Sequence, residues 1–296
     1  MAEQHKPVMA QEAIAELSID PDGVYSDISC GPGGHSALIA ACLGPSGRLI
    51  CRDRDPEAIQ LARANLAPWA DRVIFDVGRF SDLRESLARL GFPQLNGLLA
   101  DLGIGMHQLR SPERGFSFAL DGPIDMRMNR ADPVTAADIV NFSSEEEIAR
   151  ILLAGGERRA RRVARALVRE RPVRGTQSLA QIVERVLSRT GKISAPTLTF
   201  QSLRMEVNSE IPEIESLVEA IPQVLAPGGR AVVIAFHSGE DSVLKKGFRA
   251  LARDGRALIV HKHVLRPSEE EVRANPAARS ARMRVLQIMG GSTAQF

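Results

Sequence analysis

Over the first hundred residues, short apolar runs alternate with helix-length amphipathic segments. VYSDI precedes SALIAACLG, RLICRD precedes PEAIQLARANL, RVIFDVG precedes SDLRESLARLG, and LNGLLADLG follows. Parallel strands can be joined only by a crossover of a dozen or more residues, so this rhythm commits the chain to βαβ units and a parallel sheet. Strands are predicted at about 24–28, 48–53, 72–78 and 97–102. Pro56 suits a first helical turn with Asp55 as its N-cap, and Ser81 is placed to cap a helix beginning at Asp82.

The rhythm stops near residue 104. As far as 208 the patterns are helical: SSEEEIARILL with a Ser144/Glu147 capping box, GERRARRVARALVRE, TQSLAQIVERVLSR and TLTFQSLRMEVNSE. The alternation then resumes with IPEIESLVEAIPQVL, the turn APGG, the strand GRAVVIAF, the helix SGEDSVLKKGFRALA, and two more strand candidates, RALIVHK and RMRVLQIM. The expected architecture is an α/β domain with a seven-stranded sheet, formed by residues 1–107 and 209–296, interrupted by an all-helical insertion at 108–208.

At 296 residues with a net charge of +2, the chain can bury a sizeable core and is no polycation, so any nucleic-acid contact must come from a local patch. Cys30, Cys42 and Cys51 are odd in number and lack CxxC spacing. That disfavours a disulfide framework or a zinc site, and they read as small core residues in a reducing compartment. The charged N-terminus and the absence of any membrane-length apolar run lead to the expectation of a cytoplasmic protein.

The glycine cluster DISCGPGGHS, residues 27–36, follows the first strand. A P-loop requires Lys then Ser or Thr after the last glycine, where this chain has His35-Ser36. The dinucleotide fingerprint also fails, because no third glycine follows Gly31-Pro32-Gly33-Gly34 at the required spacing. What remains is a D-x-x-x-G-x-G-G loop that admits a bulky ligand and turns helix N-terminal amides toward the carboxylate of a zwitterion such as S-adenosylmethionine. Asp53, at the end of the second predicted strand, stands where a nucleoside-binding fold places its ribose acid. A tight βα turn would explain the glycines alone, but not the glycines with the acid and the alternating pattern.

Between Glu157 and Arg174 the chain carries eight arginines and two glutamates. Ala160, Val163, Ala164, Leu167 and Val168 form an apolar helical stripe, leaving Arg158, Arg162, Arg165 and Arg169 outside it as candidate RNA-phosphate contacts. A solvated arginine face is the competing reading. HKH at 261–263 lacks a nearby cysteine or carboxylate partner in sequence, which disfavours a metal site.

HKPVM, DISCGPGGHS, CRDRDP, GRFSDL, LLADLG with HQL, ERGFSF, DGPIDMRM, GERRARRVARALV, TFQSLRMEVNSE, LAPGGR, FHSGEDSVLK and PSEEEVRANPAARSARMR together resemble the bacterial RsmH (MraW) family. The resemblance runs in order from His5 to about Arg284. It implies a class I S-adenosylmethionine-dependent methyltransferase with a Rossmann-like sheet and a helical insertion. The implied activity is methylation of the N4 amine of a decoding-centre cytidine in 16S rRNA. Carried over residue by residue, it implies cofactor contacts at Gly33, Gly34, His35, Asp53, Phe80, Asp101 and Gln108. Asp101 becomes the candidate acceptor for the cofactor or target amine, and His237 a second candidate catalytic contact, with a structural strand-end histidine as the rival reading. The partners implied are small-subunit rRNA or the 30S subunit, with no DNA, no membrane and a homodimer left open.

The chain departs from the family pattern at four places. Ile28-Ser29 replaces Gly-Thr, Gly105-Met106-His107-Gln108-Leu109-Arg110 replaces a Ser-Ser-Pro-Gln-Leu-Asp-like run, Leu198 stands where an arginine is usual, and Gly239 replaces a leucine. The altered 104–110 loop and Leu198 motivate the alternative of an S-adenosylmethionine-binding ribosome-assembly protein with weak or lost methyltransferase activity. A nicotinamide oxidoreductase is a more distant third reading. Asp101-Leu102-Gly103 has no adjacent aromatic to stack a base, so the residues alone do not name the amine; the resemblance does.

Overall fold

The computed structural model describes residues 7–187 and 195–290; His5 and Lys6 of HKPVM, and Ser188-Arg189 at the end of TQSLAQIVERVLSR, lie outside them. The chain divides into two compact units, 1–103 with 211–296, and 104–210. These junctions fall four residues before and two residues after the expected ones.

Among the described residues the discontinuous unit holds seven strands: β1 (Val24–Asp27), β2 (Arg48–Asp53), β3 (Val73–Val77), β4 (Leu95–Asp101), β5 (Leu225–Ala235), β6 (Ala257–Ile259) and β7 (Arg282–Ile288). They form one sheet in the order β3-β2-β1-β4-β5-β7-β6. β1 to β5 are mutually parallel, while β7 runs antiparallel to both β5 and β6. The helices of this unit are α1 (Ala10–Leu17), α2 (Gly34–Cys42), α3 (Pro56–Asn65) and α4 (Leu83–Arg89). The helical unit carries α5 (Met106–Arg110), α6 (Ala136–Phe142), α7 (Glu145–Ala154), α8 (Ala160–Arg169), α9 (Thr176–Val186) and α10 (Pro196–Val207), with no strand among its described residues. α11 (Glu210–Val224), α12 (Ser238–Arg253) and α13 (Glu269–Ala274) complete the chain.

Strand side chains alternate between two apolar layers, as the period of two demands. Leu98, Ala100, Ala231 and Val233 pack with Leu83, Leu87, Leu217 and Phe248 on one face. Leu99, Val232 and Ile234 pack with Leu17, Ile39 and Ile59 on the other. Both faces are covered, which is why the strands read as continuous apolar runs rather than polar–apolar alternation. The architecture is the seven-stranded α/β sheet expected of the discontinuous domain. The helical unit has its own core, built from Ile148, Ile151, Val163, Leu167, Leu179, Val183, Phe200 and Leu203 among others.

Two local expectations are corrected. Ser81 does not cap α4: its amide and hydroxyl both donate to the Glu213 carboxylate, at 3.0 and 3.1 Å, and a 3₁₀ turn over Phe80–Asp82 precedes the helix. Cys42 is exposed at the end of α2, whereas Cys30 and Cys51 are buried. Asp55 caps α3 as expected, accepting from the Glu57 amide at 3.0 Å, and Ser144 accepts from the Glu147 amide at 3.1 Å at the start of α7.

Candidate functional site

The sheet order reverses between β1 and β4, and ligands of open α/β sheets bind at the carboxyl ends of the strands beside such a reversal. Reading across those ends, the chain presents Phe80 just beyond β3, Asp53 as the last residue of β2, Asp27 as the last of β1, and Asp101 as the last of β4. At about 4.8 Å per strand spacing, the row extends over roughly 14 Å.

The glycine loop sits at the centre of this row. Gly31 and Gly33 take φ of +50° and +93°, the left-handed region that only glycine enters without strain. A Cβ on Gly33 would also lie 3.2 Å from the Leu66 side chain. The turn lets α2 start at Gly34 with its first-turn amides facing outward from the sheet end, where intrahelical partners are absent by geometry. Asp53 is tied to the loop: its Oδ2 accepts from the Gly31 amide at 2.8 Å and its Oδ1 from the Asp55 amide at 2.9 Å. Two donors fix the carboxylate's orientation at the end of β2.

Asp27 is buried beneath the loop, accepting from the Ser36 hydroxyl at 2.6 Å. Burial pushes its carboxyl up to about 7, against the lowering effect of the Ser36 and Ser29 hydrogen bonds and with a further raise from Asp53. Ser29, one of the departures from the family pattern, ties two strand ends together. Its hydroxyl accepts from the Asp101 amide at 2.6 Å and so joins the β1 loop to the tip of β4.

Asp101 is held well above the usual carboxylate range by burial, then by the like charges of Asp27 and Glu240. Its side chain keeps 23% of its surface accessible, but Oδ1 is enclosed and has no hydrogen-bond partner among the described residues. His35 lies beside it, with Nε2 2.9 Å from the Val8 carbonyl and Nδ1 3.6 Å from Asp101 Oδ2. A carbonyl only accepts, so Nε2 carries a hydrogen and Nδ1 is the ring atom that faces Asp101. Closely spaced acids that resist ionising together, one with an enclosed unpartnered oxygen, suit a cationic group. The sulfonium and ammonium of S-adenosylmethionine are such groups, and the residues present therefore fit the cofactor.

Phe80 is partly buried against the sheet core. It is placed by the β3 tip, where the Gly78 amide donates to the Asp53 carbonyl at 3.0 Å. Arg52, buried on β2, ion-pairs with Asp76 of β3 and Asp82 of the 3₁₀ turn and donates to the Arg79 carbonyl at 2.9 Å. It thereby brackets Phe80 from both sides in sequence. Gly78 leaves the space that the Arg52 guanidinium occupies.

The remaining candidates lie on other elements, His237 just beyond β5, whose Ile234 pairs with Asp101 of β4. Gln108, in the helical unit, is buried on α5 and accepts from the Gly105 amide at 3.0 Å. His237 is the N-cap of α12: its Nδ1 accepts from the Glu240 amide at 3.3 Å, while the Glu240 carboxylate accepts from the Phe236 amide at 2.7 Å. On α8, Ala160, Val163, Ala164 and Leu167 are buried, Val168 is half-buried, and Ala166 joins them. Arg158, Arg162, Arg165 and Arg169 are all exposed, with Arg165 3.3 Å from Glu145 and Arg169 3.3 Å from Glu170. Arg158, Arg161 and Arg162 have no ion pair among the described residues. In HKH, His261 contacts Glu16 at 2.7 Å.

Asp27, Ser29, Ser36 and Arg52 belong to the site although no motif in the sequence singled them out as members of it. Asp27 had a usable signal, since it is the first residue of the D-x-x-x-G-x-G-G loop. Arg52 had none, because a charged residue inside an apolar strand reveals its partners only once the strands are ordered.

A family model described as the MraW methylase family matches residues 2–289. The chain is 49% identical over 285 residues to ribosomal RNA small subunit methyltransferase H of Solibacter usitatus, covering 96% of this chain and 99% of that protein. It is 43% identical over 295 residues to the protein of the same name from Acidobacterium capsulatum, covering 96% and 98%. Among solved structures, TrmN from Thermus thermophilus aligns with a TM-score of 0.47 at 13% identity, covering 95% of this chain and 48% of that one.

Proposed function

The chain belongs to the MraW methylase family, and from that membership we propose that it methylates the N4 amine of a decoding-centre cytidine in 16S rRNA. At the coarser level it is an S-adenosylmethionine-dependent methyltransferase of small-subunit ribosomal RNA. The observation that carries the reading is the row of strand tips ending in Asp101, whose Oδ1 is enclosed and without a hydrogen-bond partner among the described residues and whose carboxyl is raised by burial and by the charge of the buried Asp27.

Bound S-adenosylmethionine supplies an electrophilic methyl group on a sulfonium sulfur. The chain has to align the amine with that methyl and to keep water out, since direct displacement needs no metal. Asp53 would hold the ribose hydroxyls, the first-turn amides of α2 the amino-acid carboxylate, and Phe80 the adenine. Asp27 and Asp101 supply negative charge for the cationic centre. That charge in turn favours ionised Asp101, which is then free to accept an N–H of the target amine and its proton after transfer. The exposed arginines of α8 hold rRNA phosphates, either on free RNA or on the 30S subunit. The work is done in the cytoplasm, where rRNA is assembled; no helix of the described residues is long and apolar enough to cross a membrane.

Transfer of a labelled methyl group to small subunits lacking the modification, followed by nucleoside digestion and mass analysis, tests the reading. Label in N4-methylcytidine is expected. Label in another nucleoside overturns the assigned amine. S-adenosylmethionine binding without transfer favours the assembly-protein alternative motivated by the altered 104–110 loop.

A further inference from the structure

Outside the strand-tip row, the discontinuous unit has a second concentration of charge. α12 carries Lys245, Lys246, Arg249 and Arg253 on its exposed side, and Lys262 and His263 follow β6. Lys245, Arg249, Lys262 and His263 line a cavity of about 360 Å³ whose apolar wall includes Phe248 and Val285. A neighbouring hollow of about 600 Å³ shares Lys245 and Arg249 and adds Lys246 and Arg253. Neither is lined by a carboxylate among the described residues.

The spacing of these charges works against the helix itself. Lys245 and Arg249, and Arg249 and Arg253, are like-charged pairs four residues apart, each costing a few tenths of a kcal/mol. The nearby acids pair with other lining residues: Asp241 with Arg284 at 2.7 Å and Glu16 with His261 at 2.7 Å at the first cavity, and Asp254 with Arg253 at 3.2 Å at the second. Lys245, Lys246, Arg249 and Lys262 have no ion pair among the described residues. Four unpaired cations around two hollows without carboxylates form an anion-binding surface.

We propose that this α12/β6–β7 surface is an additional docking site for the phosphodiester backbone of the rRNA substrate, distinct from the strand-tip site and from α8. It rests on the rRNA reading above. α12 starts at Ser238, three residues beyond the end of β5. At 1.5 Å per residue, Lys245 lies about 10 Å along the helix and Arg253 about 22 Å along it. The surface therefore receives phosphates flanking the target nucleotide rather than its own. A chain of phosphates fits the elongated charge pattern better than a single small anion, because consecutive cations recur along a helix face rather than converging on one point.

The test compares wild type with Lys245→Gln/Arg249→Gln/Lys262→Gln and with the charge-preserving Lys245→Arg/Arg249→Lys, using purified small-subunit RNA over a salt series. All substituted side chains are exposed, and S-adenosylmethionine binding serves as the control for folding. The neutralised variant is expected to raise KM for RNA about tenfold with kcat unchanged, and to lower the slope of log affinity against log salt by about two. The charge-preserving variant is expected to match wild type. An unchanged KM and slope overturn the docking site while leaving the methyltransferase reading intact. Equal losses in both variants overturn it too, since charge would then not be what is read. A loss on assembled subunits but not on free RNA shows a protein partner instead and overturns it. Absence of transfer by wild type would count against the function, not against this surface.

Discussion

The strand-tip site and the α8 region handle charge in opposite ways. At the strand tips of the α/β unit the charges are wholly or partly buried and tied to backbone or to one another: Asp27 to Ser36, Asp53 to the Gly31 and Asp55 amides, Arg52 to Asp76 and Asp82. In the helical unit α8 buries only apolar side chains and leaves Arg158, Arg161 and Arg162 exposed, with no ion pair among the described residues. Fixed, desolvated charge suits recognition of one small molecule, because it is oriented before the ligand arrives. Exposed, mobile charge suits a polyanion whose phosphates need neutralising rather than precise placement.

The contrast makes its largest prediction at Asp101. Asp101→Asn keeps the shape but cannot ionise, and the expected result is a fall in kcat of about a hundredfold or more. S-adenosylmethionine affinity should fall far less. Single-turnover methyl transfer checks this, and wild-type turnover with normal cofactor binding would remove Asp101 from the chemistry. Next in size is Arg52→Met, which removes the buried guanidinium shared by Asp76 and Asp82 and leaves Asp76 with only the Ser86 hydroxyl and the exposed Arg89. A loss of about 3 kcal/mol in denaturant unfolding is expected, together with weakened cofactor binding through the Phe80 turn.

On the helical side, Arg158→Ala/Arg161→Ala/Arg162→Ala is expected to weaken RNA binding by about tenfold and to flatten its salt dependence, with no change in unfolding midpoint. An unchanged salt slope would return α8 to the status of a solvated face. The smallest effect concerns pH. Asp27, raised to about 7, holds more protons in the folded chain than in the unfolded one between its ordinary value and 7, so its contribution to stability falls as pH rises across that window. Affinity for the cationic cofactor moves the other way, rising several-fold between pH 6 and 8 as the carboxyl ionises. S-adenosylhomocysteine, without the sulfonium charge, should show a weaker rise, and Asp27→Asn should abolish it; calorimetric titration at the two pH values reads both.

How much of this the sequence disclosed also differs between the units. The positions of β1 to β4 along the chain, the glycine loop and the placement of Asp53 at the end of β2 follow from periodicity and spacing, because strand tips recur at intervals that the chain itself displays. The antiparallel β7 between β5 and β6 did not, since neighbour order within a sheet leaves no trace in local pattern. Arg52 and the buried pair Asp27–Ser36 were hidden for the same reason: their meaning lies in partners brought close only by folding. Ser81 misled because a serine before an acidic helix start resembles a cap, while Glu213, more than a hundred residues away, takes both of its donors. His237 is also the N-cap of α12, a role that its motif did not disclose. In the helical unit the arginine stripe was fully legible, because an amphipathic helix reveals its exposed face from spacing alone.

The division of labour is tested most directly by measuring S-adenosylmethionine and RNA binding separately for two variants, Asp53→Ala and Arg158→Ala/Arg161→Ala/Arg162→Ala. Asp53→Ala should lose cofactor affinity by tenfold or more, on the order of two hydrogen bonds to a charged group, and keep its RNA affinity; the arginine variant should do the reverse. Loss of cofactor binding in the arginine variant, or full cofactor affinity in Asp53→Ala, would contradict the account.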